Sequence, residues 1–141
     1  MNNIILVSGS SGLIGKALCL KLEGEGFEVR KLKRSPKGLS ANEYFWNPES
    51  CEIDILAFEG VNTVVHLAGE PIAQRWNGKS KKAIFNSRIL STRFLVESMK
   101  LAESKAKFIS SSGINFYGSK IGLNSEGETF VIDCPDGFLS E

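Results

Sequence analysis

Three glycines spaced three residues apart constrain the fold of this chain more than any other feature. Gly9, Gly12 and Gly15 directly follow the apolar residues 4–7, a run typical of a strand buried on both faces. Residues 13–23 repeat apolar side chains at intervals of three and four, which predicts a helix. A strand, a glycine turn and a helix in this order predict a dinucleotide-binding cradle. In such a cradle the backbone approaches a pyrophosphate at Gly12, and the helix N-terminus faces the phosphates.

The phosphate contacts are therefore predicted along the whole turn. The residues assigned to it are Gly9, Ser10, Ser11, Gly12, Leu13, Ile14 and Gly15. A mononucleotide P-loop is the nearest rival, and it needs the pattern G-x-x-x-x-G-K-[ST]. The rival fails because Ser10 stands where its first glycine belongs, and because Ala17 replaces the hydroxyl that would hold magnesium.

The end of the second predicted strand, residues 27–32, selects the cofactor. Folds that bind NAD carry an acidic residue there for the ribose 2′-hydroxyl, whereas this chain has Lys33, Arg34 and Ser35. A guanidinium can grip a 2′-phosphate with two parallel hydrogen bonds, and a carboxylate would repel it. The sequence therefore favours NADP, and a solvated basic loop is the alternative.

Further strands and helices alternate along the chain. Strands are predicted near 44–46, 63–68 and 107–111, helical turns over 53–58, a long helix over 79–103, and loop after Gly113. The alternation predicts an α/β fold with a Rossmann-like doubly wound parallel sheet, as one domain over residues 1–141. Ligands bind such sheets at the carboxyl ends of the strands, which adds Leu67, Ala68 and Gly69 to the predicted cofactor site.

Composition excludes several other classes of protein. The net charge of +1 gives no field that would recruit nucleic acid or an anionic membrane. The apolar run near the N-terminus is too short for a signal peptide, so we expect a cytoplasmic protein. The three cysteines form no C-x-x-C pair and no cluster with the single histidine, which argues against a metal site.

A series of short motifs resembles one known family. The motifs are Gly9-x-x-Gly12-x-x-Gly15, Lys33-Arg34-Ser35-Pro36, Trp46-Asn47-Pro48, Val65-His66-Leu67-Ala68-Gly69-Glu70-Pro71-Ile72, Arg75-Trp76, Asn86-Ser87-Arg88, Ser91-Thr92-Arg93, Ser110-Ser111-Ser112, Phe116-Tyr117-Gly118 and Gly137-Phe138-Leu139. In this order they resemble the extended short-chain dehydrogenase/reductases, the NAD(P)-dependent epimerase/dehydratase group. Within it they resemble the "epimerase family protein" subfamily.

The resemblance implies NADP binding and a Ser/Tyr/Lys site acting on a small carbonyl, hydroxyl or sugar-type substrate. The matching serine is Ser112, with Ser111 as a second candidate; Ser110 to Ser112 could also simply finish a strand. The family's Tyr-x-x-x-Lys helix has no match in this sequence. Tyr117 and Lys120 do not replace it, because they are three residues apart and the motif needs four. Relatives are about twice as long. We therefore expect the N-terminal part of a Rossmann domain, without the later strands and the substrate-binding part. Alone it would be inactive, or a non-catalytic NADP-binding module.

The long helix carries two apolar stripes. One contains Ile84, Phe85, Ile89, Leu95, Val96, Met99 and Ala102, and the other contains Leu90, Phe94 and Leu101. The first should cover the sheet, and the second predicts either a homodimer contact or cover by loops. Arg88 stands where many extended members carry an asparagine, and His66 is predicted to be a packed strand histidine with its tip near the cofactor's ribose.

Overall fold

The computed structural model describes residues 3–111, of which 3–110 belong to one compact unit. Its strands are β1 (Ile4–Ser8), β2 (Glu28–Lys33), β3 (Glu43–Asn47), β4 (Glu52–Ile53), β5 (Val61–His66) and β6 (Lys107–Ser110). Its helices are α1 (Leu13–Gly24) and α2 (Gly78–Leu101), and a single 3-10 helix covers Ile55–Phe58.

The six strands form one sheet in the order β4-β3-β2-β1-β5-β6. All pairs are parallel except β3 with β4, which is antiparallel. The predicted strands near 4–8, 27–32, 63–68 and 107–111 are therefore confirmed as parallel neighbours. The order changes direction at β1, since β2 and β5 flank it, and this places a binding crevice at the carboxyl end of β1.

Helices cover both faces of the sheet, which confirms the doubly wound prediction. Successive residues of β1 point to opposite faces. Ile5 and Val7 pack with Cys19 of α1, whereas Leu6 packs with Leu95 of α2 on the other face. The two apolar layers thereby fix α1 and α2 on opposite sides of the same crevice.

The prediction of helical turns over residues 53–58 was wrong at its start. Ile53 pairs with Trp46 as part of β4, and the helical turns begin only at Ile55. Cys51 adopts a left-handed φ of 54° in the reversal between β3 and β4, which returns the chain along the edge of the sheet. The Asp54 carboxylate then accepts a hydrogen bond from the Leu56 N–H and caps the short helix.

The apolar patterns of the two helices coincide only partly with their buried faces. Leu13 and Ile14, part of the repeat that predicts α1, are 90% and 68% exposed at its first turn. Phe85 of α2 is exposed, and Phe94 packs partly against the core instead of lying on an outer stripe. The reason is that each buried face includes residues without large apolar side chains. The buried residues are Gly15 and Cys19 in α1, and Ile84, Ser91, Leu95, Ser98 and Met99 in α2.

Several predictions reach beyond these residues. Ser112, the loop after Gly113 and the single domain over residues 1–141 lie partly or wholly outside the described range and stay predictions. Leu90 and Leu101 are exposed on α2, and the homodimer through this helix also stays a prediction. Among residues 3–111, no helix is long and apolar enough to cross a membrane.

Candidate functional site

An open groove follows the carboxyl ends of β1, β2, β3 and β5 and is bounded on one side by α2. Eight of the residues predicted to bind the cofactor line it: Gly9, Ser11, Gly12, Lys33, Arg34, Leu67, Ala68 and Gly69. Ser10 and Gly15 are buried, whereas Leu13, Ile14 and Ser35 are exposed outside the lining. The fold thus brings three segments that are distant in sequence to one edge of the sheet.

The glycine turn is shaped by backbone contacts that leave no room for a side chain at Gly9 or Gly15. Gly9 has a φ of +71°, and a Cβ there would lie 2.7 Å from the Ala68 nitrogen. A Cβ at Gly15 would lie 2.9 Å from the Ser10 Cα, and still closer to the Gly9 carbonyl. Gly15 therefore allows the first turn of α1 to lie directly against the backbone of the glycine turn.

The N-terminus of α1 is left open toward the groove. Gly12 is its N-cap residue, and no side chain caps the first-turn N–H groups, which have no carbonyl partners within a helix. The Ser10 hydroxyl is buried and has no hydrogen-bond partner among the described residues. Backbone donors at a helix N-terminus fit an anionic group such as a pyrophosphate, so this end of the groove suits the phosphates of a dinucleotide.

The three basic-loop residues differ in their surroundings. The Lys33 ammonium lies 3.3 Å from the Glu43 carboxylate, which compensates part of its charge. The Ser35 hydroxyl accepts a hydrogen bond from the Lys37 N–H at the surface. Arg34 is exposed, lines the groove and makes no hydrogen bond or ion pair within residues 3–111. Arg34 is therefore the residue of this loop best placed to meet an added phosphate.

His66 ends β5 in a buried hydrogen-bonded chain. Its Nδ1 lies 2.6 Å from the Ser8 hydroxyl of β1, and its Nε2 lies 3.2 Å from the Ser91 hydroxyl of α2. The Ser91 hydroxyl donates to the Ser87 carbonyl, so it accepts from the imidazole. This assigns the neutral Nε2–H tautomer, with Nδ1 accepting from Ser8.

The ring of His66 lies in an apolar setting. It meets Trp46 edge-on at 6.0 Å between centroids and Phe108 at 6.2 Å. Burial lowers the pKa of His66 to about 4, since the charged form would lose its hydration. The histidine is thus a packed, neutral strand residue as predicted, and its two ring nitrogens are engaged by serines.

Side chains of α2 hold the loop that follows β5. The Glu70 N–H donates to the Ser87 hydroxyl at 2.9 Å. Both terminal nitrogens of Arg88 donate to the Glu70 carbonyl at 3.1 Å. Arg88 therefore anchors this wall of the groove.

Two parts of the groove were not among the predicted binding residues. The first is the end of β3, where Trp46, Asn47 and Pro48 line the groove beside Arg34. The rule that ligands bind at strand ends applies to β3 as well, so this signal was available. The second is α2, whose Asn86 and Arg93 also line it, and no sequence pattern distinguishes them from an ordinary solvated face. Within residues 3–111, no group of three metal-ligating side chains occurs.

The amino-acid sequence is similar to those of known proteins. Residues 5–132 match the profile of the NAD dependent epimerase/dehydratase family. An epimerase family protein of Mycobacterium bovis is 39% identical over 120 residues, covering 84% of this chain and 39% of that protein. The chain thus spans about two fifths of the length of such curated relatives.

Solved structures share the fold. A nucleoside-diphosphate sugar epimerase from Corynebacterium glutamicum is 34% identical, with a TM-score of 0.70 over 99% of this chain and 28% of that protein. A human epimerase family protein solved with NADPH is 30% identical, with a TM-score of 0.63 over 81% of this chain and 38% of that protein. MoeE5 in complex with UDP-glucose and NAD is 26% identical, with a TM-score of 0.68 over 89% of this chain and 42% of that protein.

Proposed function

The chain belongs to the NAD dependent epimerase/dehydratase family, and from this premise we propose that it binds NADP(H) in preference to NAD(H). The observation that carries the choice of cofactor is Arg34, an exposed guanidinium without a protein partner in residues 3–111 that lines the groove at the end of β2. Relatives contain either cofactor, since the human protein was solved with NADPH and MoeE5 with NAD.

Each part of the groove has a role in this proposal. The pyrophosphate lies against the open N-terminus of α1, where Gly12 provides no side chain to block it. The 2′-phosphate lies at Arg34, which donates two parallel hydrogen bonds from a planar group. Leu67, Ala68 and Gly69 form a neighbouring wall, fixed by the contact of Gly9 with the chain just after β5.

We also propose that the reaction is oxidoreduction or epimerisation of a small carbonyl, hydroxyl or sugar-type compound. Bound NADP(H) supplies or accepts the hydride in such chemistry. The sugar class is supported by the described activity of the C. glutamicum structure, a nucleoside-diphosphate sugar epimerase. Ser112 comes two residues after β6 in the sequence, and we propose that it positions the substrate oxygen.

Calorimetry with both cofactors tests the role of Arg34. Arg34→Ala should cost about 1.5–3 kcal/mol of NADPH affinity, the value of hydrogen bonds to a charged group, and leave NADH affinity nearly unchanged. Lys37→Ala is the matched control, because it removes an exposed cation of the same loop that does not line the groove. Equal losses for both cofactors in Arg34→Ala, or an equal loss of NADPH affinity in the control, would exclude a contact with the 2′-phosphate.

A further inference from the structure

Three buried polar side chains form a continuous chain across the sheet beneath the groove. Ser8 is 0% exposed, His66 3% and Ser91 2%, and they come from β1, β5 and α2. Polar groups at this depth are costly unless they are paired, so their presence needs an explanation beyond core packing. Valine at Ser8, for example, would give β1 the continuous apolar pattern that a strand covered on both faces usually shows.

The hydrogen bonds run in one consistent direction through this chain. The Leu67 and Ala68 N–H groups donate to the Ser8 hydroxyl at 3.2 and 3.4 Å. Ser8 in turn donates to His66, His66 donates to Ser91, and Ser91 donates to the carbonyl of Ser87. Every hydroxyl and ring nitrogen in the chain thus has a donor or acceptor role, as expected of a network that fixes one geometry.

The two ends of this chain lie at the two walls of the groove. Ser8 immediately precedes Gly9, whose backbone packs under Leu67 and Ala68. Ser91 lies on the α2 wall, one turn from Ser87, whose hydroxyl holds the Glu70 N–H. His66 therefore links the glycine turn, the loop after β5 and α2.

We propose that His66 is a positioning residue for the dinucleotide groove, and that its bridge from Ser8 to Ser91 fixes the spacing between the glycine turn and α2. The inference rests on the proposed function, because it concerns the site that would hold the cofactor. His66 does not touch the cofactor in this account. It acts through the backbone of Leu67 and Ala68 and through the wall formed by α2.

The surroundings of His66 leave the bridge free of competing charges. The groups that face it are Ser8 from β1, Trp46 from β3, Phe108 from β6 and Ser91 from α2. None of these four is charged, so the ring stays neutral and keeps one donor and one acceptor at neutral pH.

The link to α2 can be removed with a closely matched control. Ser91→Ala deletes the bridge and also a hydrogen bond from a buried serine to a carbonyl four residues earlier. Ser98→Ala deletes the same kind of helical hydrogen bond, from Ser98 to the Phe94 carbonyl, at a serine that is 1% exposed and does not contact His66. Ser91→Thr keeps a hydroxyl and is the conservative rescue.

Affinity for both NADPH and NADH is measured by calorimetry on the full chain. Ser91→Ala should weaken both cofactors by the same factor, roughly three- to tenfold, as the loss of one hydrogen bond implies. Ser98→Ala should stay within about twofold of the wild type, and Ser91→Thr should recover most of the loss. If Ser91 and Ser98 only stabilised α2, both alanine variants would lose stability, and the two variants would have the same affinity for NADPH and for NADH.

Nitrogen NMR of the only histidine tests the bridge without any cofactor. In the ¹⁵N-labelled wild type, the long-range ¹H–¹⁵N spectrum should show Nε2 protonated and Nδ1 unprotonated, and Ser91→Ala should change this pattern where Ser98→Ala does not. An Nδ1–H tautomer, or equal affinities in the two alanine variants, would overturn the inference while the proposed function stands. A wild type that binds neither dinucleotide would overturn both.

Discussion

The two loops that line the groove after β1 and after β5 are built in opposite ways. The glycine turn between β1 and α1 is fixed by backbone against backbone, since Gly9 and Gly15 lie where a Cβ would strike neighbouring main-chain atoms. The loop between β5 and α2 is fixed by side chains, through Ser8, Ser87 and Arg88. One wall therefore depends on the absence of side chains, and the other depends on their hydrogen bonds.

This difference predicts how each wall fails. A side chain added at Gly9 or Gly15 meets main-chain atoms that cannot move without opening the fold. A side chain removed from the other wall releases one hydrogen bond and leaves the remaining ones in place. At Gly9 and Gly15 the first wall should therefore unfold or hold as a unit, whereas substitutions in the second wall should lower stability in steps of about 1–2 kcal/mol.

Gly15→Ala should give the largest effect. The new Cβ would lie against the Gly9 carbonyl and 2.9 Å from the Ser10 Cα, and both neighbours are backbone. We expect a loss of about 4 kcal/mol in the free energy of unfolding, at the upper end for single substitutions. Gly24→Ala is the control, because nothing lies within 4 Å of its Cβ position at the end of α1. Urea unfolding that showed equal stability for the two variants would mean that the turn is not sterically locked.

The second-largest effect should be a pH dependence of stability that is due to His66. The pKa of His66 is lowered to about 4 by burial, against about 6.5 in the unfolded chain, so the unfolded state binds more protons between these values. Stability from this residue is present above pH 6.5 and is lost as the pH falls, by about 3 kcal/mol at pH 4. His66→Gln removes this contribution, so the stability of the wild type relative to the variant should fall by about 3 kcal/mol between pH 6.5 and pH 4. Parallel curves would show that His66 titrates alike when folded and unfolded.

Arg88→Lys should give a smaller and local effect. The substitution keeps the charge but loses the paired contact of two nitrogens with the Glu70 carbonyl. We expect about 1–2 kcal/mol lower stability and faster hydrogen exchange over residues 67–77. Arg93→Lys on the same helix is the control. The Arg93 side chain is exposed and makes no hydrogen bond or ion pair within residues 3–111, so the change in stability should be less than about 0.5 kcal/mol. If hydrogen exchange over residues 67–77 were unchanged in Arg88→Lys, contacts other than that of Arg88 with the Glu70 carbonyl would hold this loop.

The same contrast explains what the sequence could reveal. The glycine turn, the parallel strands and the position of the basic loop follow from local patterns, because backbone sterics and strand periodicity act over a few residues. The exposure of Leu13 and Ile14 does not follow from such a pattern, because α1 packs through Gly15 and Cys19. A pattern of apolar side chains cannot reveal a helix face that packs through glycine, because the close contact there is between two backbones.

The second wall was largely hidden from sequence reasoning. Ser8 and His66 are 58 residues apart, and His66 and Ser91 are 25 apart, so their pairing depends on the register of β1 with β5 and on the seating of α2. In sequence, Ser91 and Ser98 interrupt an apolar stripe and resemble solvated positions. Only the structure shows that both serines are buried, and that Ser91 completes the series of hydrogen bonds that leads through His66 to Ser8 beside the glycine turn.

Binding of NADPH to the wild type and to Gly12→Val tests the central claim most directly. Gly12 has an ordinary φ of −72°, and a Cβ there would meet only the Gly9 carbonyl oxygen, at 3.3 Å, so the variant should keep its fold. Its isopropyl group would occupy the space assigned to the pyrophosphate at the N-terminus of α1. Calorimetry should show NADPH binding to the wild type and none to the variant, with circular dichroism unchanged. A folded variant that binds NADPH as well as the wild type does would contradict the placement of the dinucleotide in this groove.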